Sequence, residues 1–113
     1  MPRNAKAAEL RGSALLFAAL GDETRLQLVF RLRDGVPASI TSLTAGSRLT
    51  RQAITKHLRV MESAGLVHGA RNGRQSLWRL ERRRLEEARH YLDQISAQWD
   101  QALGRLRDLV EPG

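Results

Sequence analysis

Thr50-Arg-Gln-Ala-Ile-Thr-Lys-His-Leu-Arg-Val-Met-Glu-Ser-Ala-Gly65 is the stretch whose reading decides the fold. It has the start, stripe and stop of an amphipathic helix. Thr50 suits the N-cap, where a hydroxyl accepts an amide hydrogen that the first turn leaves without a partner. Gly65 suits the position just past the end, where the chain turns left-handed and a Cβ is unfavourable. Between them Ile54, Leu58 and Met61 recur at steps of four and three, so one stripe faces a core. Gln52, Thr55, Lys56 and Arg59 fall on the opposite side. Amide, hydroxyl, amine and guanidinium groups on one exposed face are equipped to read base edges and hold phosphates. A merely solvated polar face is the plainer reading, and the flanking sequence decides between the two.

After Gly65 the apolar period changes. Leu66-Val-His-Gly-Ala-Arg71 and Arg74-Gln-Ser-Leu-Trp-Arg-Leu80 flank Asn72-Gly73. Asn-Gly between two strands signals a type I′ hairpin, because both central residues need positive φ. That register sets Val67 opposite Trp78 and Arg71 opposite Arg74. Like charges directly opposed are unfavourable unless the tip meets an anion, the alternative being a turn kept polar for solubility. Upstream, Ser39 or Thr41 caps a short helix that turns Ile40 and Leu43 inward, and Gly46-Ser-Arg48 is a tight turn. Residues 39–65 therefore read as a helix-turn-helix and residues 66–80 as its wing.

The outer segments read as helices that pair. Residues 2–6 are expected as a loose end, followed by a helix over 7–20 with Leu10, Ala14 and Phe17 on one stripe. Gly21 ends it, and Asp22 caps a second helix from Glu23 to about Arg33. Leu26, Leu28, Val29, Phe30 and Leu32 make that helix apolar nearly all round, so it is expected to be central. The last helix spans 83–110. Leu85, Ala88, Leu92, Ile95, Trp99, Ala102, Leu106 and Leu109 alternate steps of three and four without a break, which is an a/d seam. In so small a chain this reads as a dimer interface, helped by the first helix; the alternative is a helix lying on its own domain. The fold expected is a single α+β domain over residues 1–113, mostly α: a winged helix-turn-helix of order α-α-α-α-β-β-α with a long C-terminal dimerisation helix.

Charge supports the same division. The chain has 113 residues and a net charge of +7. Residues 48–84 hold ten Lys/Arg and two acids, while the rest holds nine basic and ten acidic residues. The whole excess sits on this central third of the chain, where it favours a polyanion through counterion release. No run of about 18 apolar residues suggests a membrane span, and Ala14–Leu20 lies too deep to be a signal sequence. With no Cys there are no disulfides or thiolate metal sites, and a cytoplasmic setting is expected. No Cys nucleophile, phosphate-binding Gly loop, H-E-x-x-H or carboxylate pair points to catalysis, and Ser47 or Ser76 near a His is a remote alternative.

Three stretches, in this order and spacing, resemble the ArsR/SmtB family of bacterial winged-helix repressors. Leu20-Gly-Asp22-Glu-Thr24-Arg25-Leu26 is similar to the family's L-x-D-x-T-R-L. Thr55-Lys-His57-Leu58-Arg-Val-Met61-Glu-Ser-Ala64-Gly65-Leu66-Val67 is similar to S-x-H-L-x-x-L-x-x-A-G-L-V. Arg71-Asn-Gly73-Arg74-Gln-Ser-Leu-Trp78-Arg-Leu80 is similar to R-x-G-R-x-x-x-Y-x-L, with Trp for Tyr. The resemblance implies a homodimer, formed by the first and last helices, that binds an operator and represses. The family's metal sites are not matched. Ile40-Thr-Ser-Leu-Thr-Ala-Gly46 lacks the Cys-x-Cys of the helix before the turn, and the last helix offers only His90, near Glu86, Glu87 and Asp93, where relatives have a His pair.

The expected DNA-binding residues are Arg48, Thr50, Arg51, Gln52, Thr55, Lys56, His57, Arg59, Arg71, Asn72 and Arg74. Gln52, Thr55, Lys56 and Arg51 would reach bases; Arg48, His57, Arg59, Arg71 and Arg74 would hold phosphates, with local packing the equal alternative for His57. His68 reads as a strand side chain. The expected dimer interface is Leu10, Ala14, Phe17, Leu85, Ala88, Leu92, Ile95, Trp99, Ala102, Leu106 and Leu109. Double-stranded DNA and a second copy are the expected partners, with no cofactor, no metal and no membrane. Three alternatives stand: a non-metal effector bound in the dimer groove near Phe17 and Trp99, a metal-sensing repressor using His90, or a winged-helix protein–protein module.

Overall fold

The structure is a computed structural model that describes residues 2–111, with side chains from Lys6 onward. Met1, Pro112 and Gly113, which the domain reading 1–113 includes, lie outside the described residues. Capping chemistry sets most of the element ends. Helix α1 (Pro2–Leu20) stops where Asp22 turns extended, and Asp22 Oδ2 accepts from Arg25 N at 3.0 Å to start α2 (Glu23–Arg31). Strand β1 (Ala38–Ser39) leads directly into α3 (Ile40–Thr44), because Ser39 Oγ accepts from Ser42 N at 3.1 Å. Gly46, at φ 77°, reverses the chain toward Thr50.

Helix α4 (Arg51–Ser63) starts at Thr50, whose Oγ1 accepts from Ala53 N at 3.1 Å. It ends in a Schellman motif. Gly65 takes φ 78°, its N–H donates to Glu62 O, and Leu66 N–H donates to Met61 O, both at 2.9 Å. Met61 and Leu66, the apolar pair that accompanies this motif, are both fully buried. The chain then forms β2 (Val67–Asn72) and β3 (Gln75–Leu80), and finishes in α5 (Arg82–Val110).

The sheet is antiparallel, in the order β1-β3-β2. The element order is therefore α-α-β-α-α-β-β-α, with one strand that the sequence did not reveal. Two residues are too short to display alternation, and only their pairing with Trp78 and Leu77 makes them a strand.

The core gathers Leu16 and Ala19 of α1, Leu28 of α2 with Leu32 just beyond it, Leu43 of α3, and Ile54, Leu58 and Met61 of α4. Ala64, Leu66, Val67, Trp78 and Ala88 close it. Helix α4 is its centre. Helix α2, expected there, buries one edge only: Leu26 is 51% and Phe30 62% exposed. The arginines of α2 are the reason. Arg31 donates to the Ser42 and Leu43 carbonyls at 2.7 and 2.8 Å, clipping α2 to the end of α3 from the side rather than burying it. Residues 2–6, expected as a loose end, continue α1.

Arg84 fixes the start of α5. Its Nε donates to Ala64 O at 3.0 Å, one Nη donates to Gly12 O at 2.9 Å, and the other pairs with Glu87. One side chain thus ties α5 to both α4 and α1. From Leu92 to the described end no residue is buried. With 29 residues, α5 is about 43 Å long, and its second half makes the molecule elongated, at 68 × 38 × 21 Å.

Candidate nucleic-acid interface

The first turn of α4 holds no acid, so the positive end of its backbone dipole is unopposed. Around it stand Arg48 in the turn and Arg51, Gln52 and Lys56 on the helix, all exposed. Among the described residues none of these three cations has a carboxylate within ion-pair distance. The Thr55 hydroxyl donates to Arg51 O at 2.7 Å, so toward a ligand it can only accept.

Arg59 is differently engaged. It pairs with Glu62 at 3.1 Å, and its guanidinium stands 5.5 Å from the centre of the Trp78 ring. It joins α4 to the wing. His57, which sequence alone left open between phosphate and packing, lies 3.2 Å through Nδ1 from an Arg25 nitrogen and 3.8 Å from Asp22 Oδ2. Its ring therefore looks inward, toward the start of α2.

The wing corrects the register expected from Asn-Gly. Val67 pairs with Leu80, Gly69 with Trp78, Arg71 with Ser76 and Asn72 with Gln75. The turn residues are Gly73 and Arg74. Gly73 has φ 65° and, among the described residues, no non-glycine residue, Arg74 included, has positive φ, which is the signature of a type II′ turn rather than I′. The reason lies at the other end of the hairpin. A Cβ at position 69 would come within 2.9 Å of the indole, so the Trp78 ring selects the glycine as its neighbour.

The shift is by two residues, which preserves the faces. Arg71 opposes Ser76 and not Arg74, so no pair of like charges faces across the tip. Arg71 continues the row of Val67 and Gly69, on the side where Trp78 meets α4. Arg71 and Arg74 are exposed, with no acid within ion-pair distance among the described residues. Asn72, also exposed, lies on the opposite face beside Gln75.

The proposed dimer residues divide into two groups. Ala88, 6% exposed, and the half-buried Leu85 pack into the chain's own core. Phe17 is half-buried, its ring 5.8 Å from that of Tyr91. Leu10, Ala14, Leu92, Ile95, Trp99, Leu106 and Leu109 are exposed, Trp99 by 64% and Leu109 by 80%, and Ala102 is half-buried. Leu103 and Val110, which the strict seam omits, widen the exposed band. Among the described residues no group of three or more His, Asp or Glu could hold a metal ion, and no helix is long and apolar enough to cross a membrane. Arg31, Gly69 and Arg84 organise the site without having been singled out in the sequence, and Arg25 stood there only as part of the Leu20–Leu26 motif. A Trp facing a lone strand Gly was the legible signal for one of them; the arginines bond to distant backbone carbonyls, which leave no pattern.

Residues 20–70 match the helix-turn-helix domain family. The chain is 40% identical over 65 residues to the HTH-type transcriptional regulator YuzN of Bacillus subtilis (strain 168), covering 52% of this chain and 71% of that protein. It is 31% identical over 93 residues to the HTH-type transcriptional regulator Rv2034 of Mycobacterium tuberculosis, covering 82% and 83%. Among solved structures, an ArsR-like transcriptional regulator from Rhodococcus sp. RHA1 superposes with a TM-score of 0.78 at 33% identity, over 92% of this chain and 97% of that one. The fold is also that of a homodimeric winged helix-turn-helix domain from Mycobacterium bovis (TM-score 0.64, 23% identity, 88% and 89% covered). A capped recognition helix, a wing beside it and relatives that match over most of their length give one conclusion: the chain belongs to the ArsR family of winged helix-turn-helix transcriptional regulators.

Proposed function

We propose that the chain is a homodimeric, sequence-specific repressor that grips double-stranded DNA with α4 and the wing and acts in the cytoplasm. The observation that carries this reading is the set of exposed cations on one helix start and one hairpin that have no acidic partner among the described residues: Arg48, Arg51, Lys56, Arg71 and Arg74. Gln52, Lys56 and Arg51 reach base edges in the major groove. Thr55, limited to accepting, favours the amino group of adenine or cytosine. Arg48, Thr50, Arg71, Asn72 and Arg74 hold phosphates and fix the register. His57 and Arg59 serve through their contacts to Arg25 and Trp78.

The apolar band of α5 supports the dimer. Exposed contiguous apolar surface on this scale marks an interface, and a second copy of the same seam is its complement. Two α4 helices related by a two-fold axis would read half-sites about 34 Å apart. Selection from a random duplex library tests the reading. The wild type should enrich a pseudo-palindrome, and Gln52→Ala or Lys56→Ala should lose preference for it over random DNA. No enrichment by the wild type would overturn the proposal.

An effector is the second reading, and a cleft other than the dimer groove beside Phe17 and Trp99 favours it. A cleft of about 830 Å³ between α2 and the α3–α4 turn is lined by Leu26, Phe30, Leu43, Leu49 and Ile54. A ligand there would press directly on the turn that positions α4.

A further inference from the structure

Arg25 joins three elements at one point. Its Nε donates to Ala19 O at 2.7 Å and one Nη to Ala18 O at 3.3 Å, which also accepts from Gly21 N–H, so the guanidinium binds the carbonyl end of α1. The other Nη is the atom that meets His57 Nδ1. Asp22, the cap of α2, stands on the same ring nitrogen from a second direction. A guanidinium has donors only, so a hydrogen bond between the two takes Nδ1 as its acceptor, with the ring hydrogen on Nε2.

We propose that Asp22, Arg25 and His57 form a proton-sensitive strap that sets the pose of the recognition helix against α1, which makes Arg25 and His57 positioning residues for DNA binding. The proposal rests on the reading of α4 as the DNA-contacting helix. Protonation places a hydrogen on Nδ1, which then cannot accept from Arg25, and leaves two cations face to face. The anion within reach is Asp22 Oδ2, so the ring shifts from Arg25 toward the start of α2. Helix α4 shifts with it, and with α4 the side chains of Gln52 and Lys56.

Among the described residues, only Arg25 and Asp22 lie within hydrogen-bond or ion-pair distance of the ring. Helix α1 meets the strap through carbonyls, and its Lys6, Glu9 and Arg11 lie earlier in the helix. Helix α3 has no charged residue. On β2, His68 and Arg71 make no hydrogen bond or ion pair with the ring. On α4 itself, Lys56 points to solvent and Arg59 is paired with Glu62.

The sign separates this device from general electrostatics. Protonating surface histidines adds positive charge and tightens binding to a polyanion, whereas the strap weakens it. Histidine is the ordinary side chain that changes charge between about pH 5 and 8, so the test compares pH 7.5 with pH 5.5 at fixed ionic strength. The full-length protein and its library-selected duplex are used, with wild type and His57→Asn side by side. Asn carries its Oδ1 on Cγ, as His carries Nδ1, and offers Arg25 an acceptor that does not titrate.

The ratio of Kd at pH 5.5 to Kd at pH 7.5 should be about fivefold larger in the wild type, the weight of one ordinary hydrogen bond. Equal ratios, or a smaller one in the wild type, overturn the strap. A readout that needs neither variant nor DNA is ¹⁵N NMR of the wild-type ring at pH 7.5. The Nε2–H tautomer is expected, and the Nδ1–H tautomer overturns the proposal. If no duplex is ever selected, the DNA-binding reading fails, and the ring spectrum still decides on the strap.

Discussion

Gly69→Ala adds one methyl group where the wing meets the core, and its cost can be worked from the structure. The new Cβ would lie 2.9 Å from Cζ3, 3.0 Å from Cη2 and 3.1 Å from Cε3 of Trp78. Carbon pairs rest at about 3.5–4.0 Å, so ring or strand must move by several tenths of an ångström. The ring has little room, being 3% exposed within the core. Overpacking of this kind costs about 1–3 kcal/mol. For a domain of this size each kcal/mol corresponds to roughly 3–6 °C in Tm, so a fall of about 5–15 °C is expected. Gly104→Ala makes the same chemical change in open helix, where an added Cβ meets nothing within 4 Å. There the gain in helix propensity is about 0.5–1 kcal/mol, and Tm should rise by a few degrees. Thermal unfolding followed by circular dichroism, at one protein concentration because a dimer's Tm depends on it, compares the two variants with the parent. A Gly69→Ala protein as stable as the parent would refute the placement of Trp78 against Gly69, and with it the reason given for the wing register.

Three further outcomes are expected. Arg74→Ala should weaken binding to all duplexes alike and flatten the dependence of log K on log salt by about one unit; an unchanged slope would remove the wing tip from the interface. Trp99→Glu, at a side chain that touches nothing in its own core, should yield a folded monomer by light scattering, and a persistent dimer would place the interface elsewhere. Asp22 has a carboxyl held below its ordinary value, first by the hydrogen bond from Arg25 N–H and further by the charge of Arg25. A depressed folded-state pKa contributes stability above the unfolded-state value and loses it as pH falls through the folded one. Asn is an equally good N-cap that does not titrate. Urea midpoints from neutral pH down to about pH 3 should therefore fall less steeply in Asp22→Asn, and parallel curves would contradict the assignment.

The parts of the fold that local chemistry dictates were legible. Thr50, Gly65, Asp22 and Ser39 mark ends that the chain obeys, because a cap is settled within a few residues of itself. The stripe Ile54, Leu58, Met61 faces the core as its spacing requires. What was misread depended on distant partners. The hairpin register follows from the indole over Gly69, not from Asn72-Gly73 alone. The exposure of Leu26 and Phe30 follows from Arg31 clipping α2 to α3. The strand at Ala38–Ser39 exists only because β3 passes beside it. In the candidate site, the exposed cations could be named in advance. The inward turn of His57 could not, since it depends on a guanidinium 32 residues earlier in the chain.

Hydroxyl-radical footprinting of the library-selected duplex tests most directly whether α4 and the wing are used twice about a two-fold axis. Two symmetric protected patches, centred about 10–10.5 base pairs apart on one face of the helix, are the predicted result. One patch alone, or uniform cleavage along the duplex at low salt, would contradict the account.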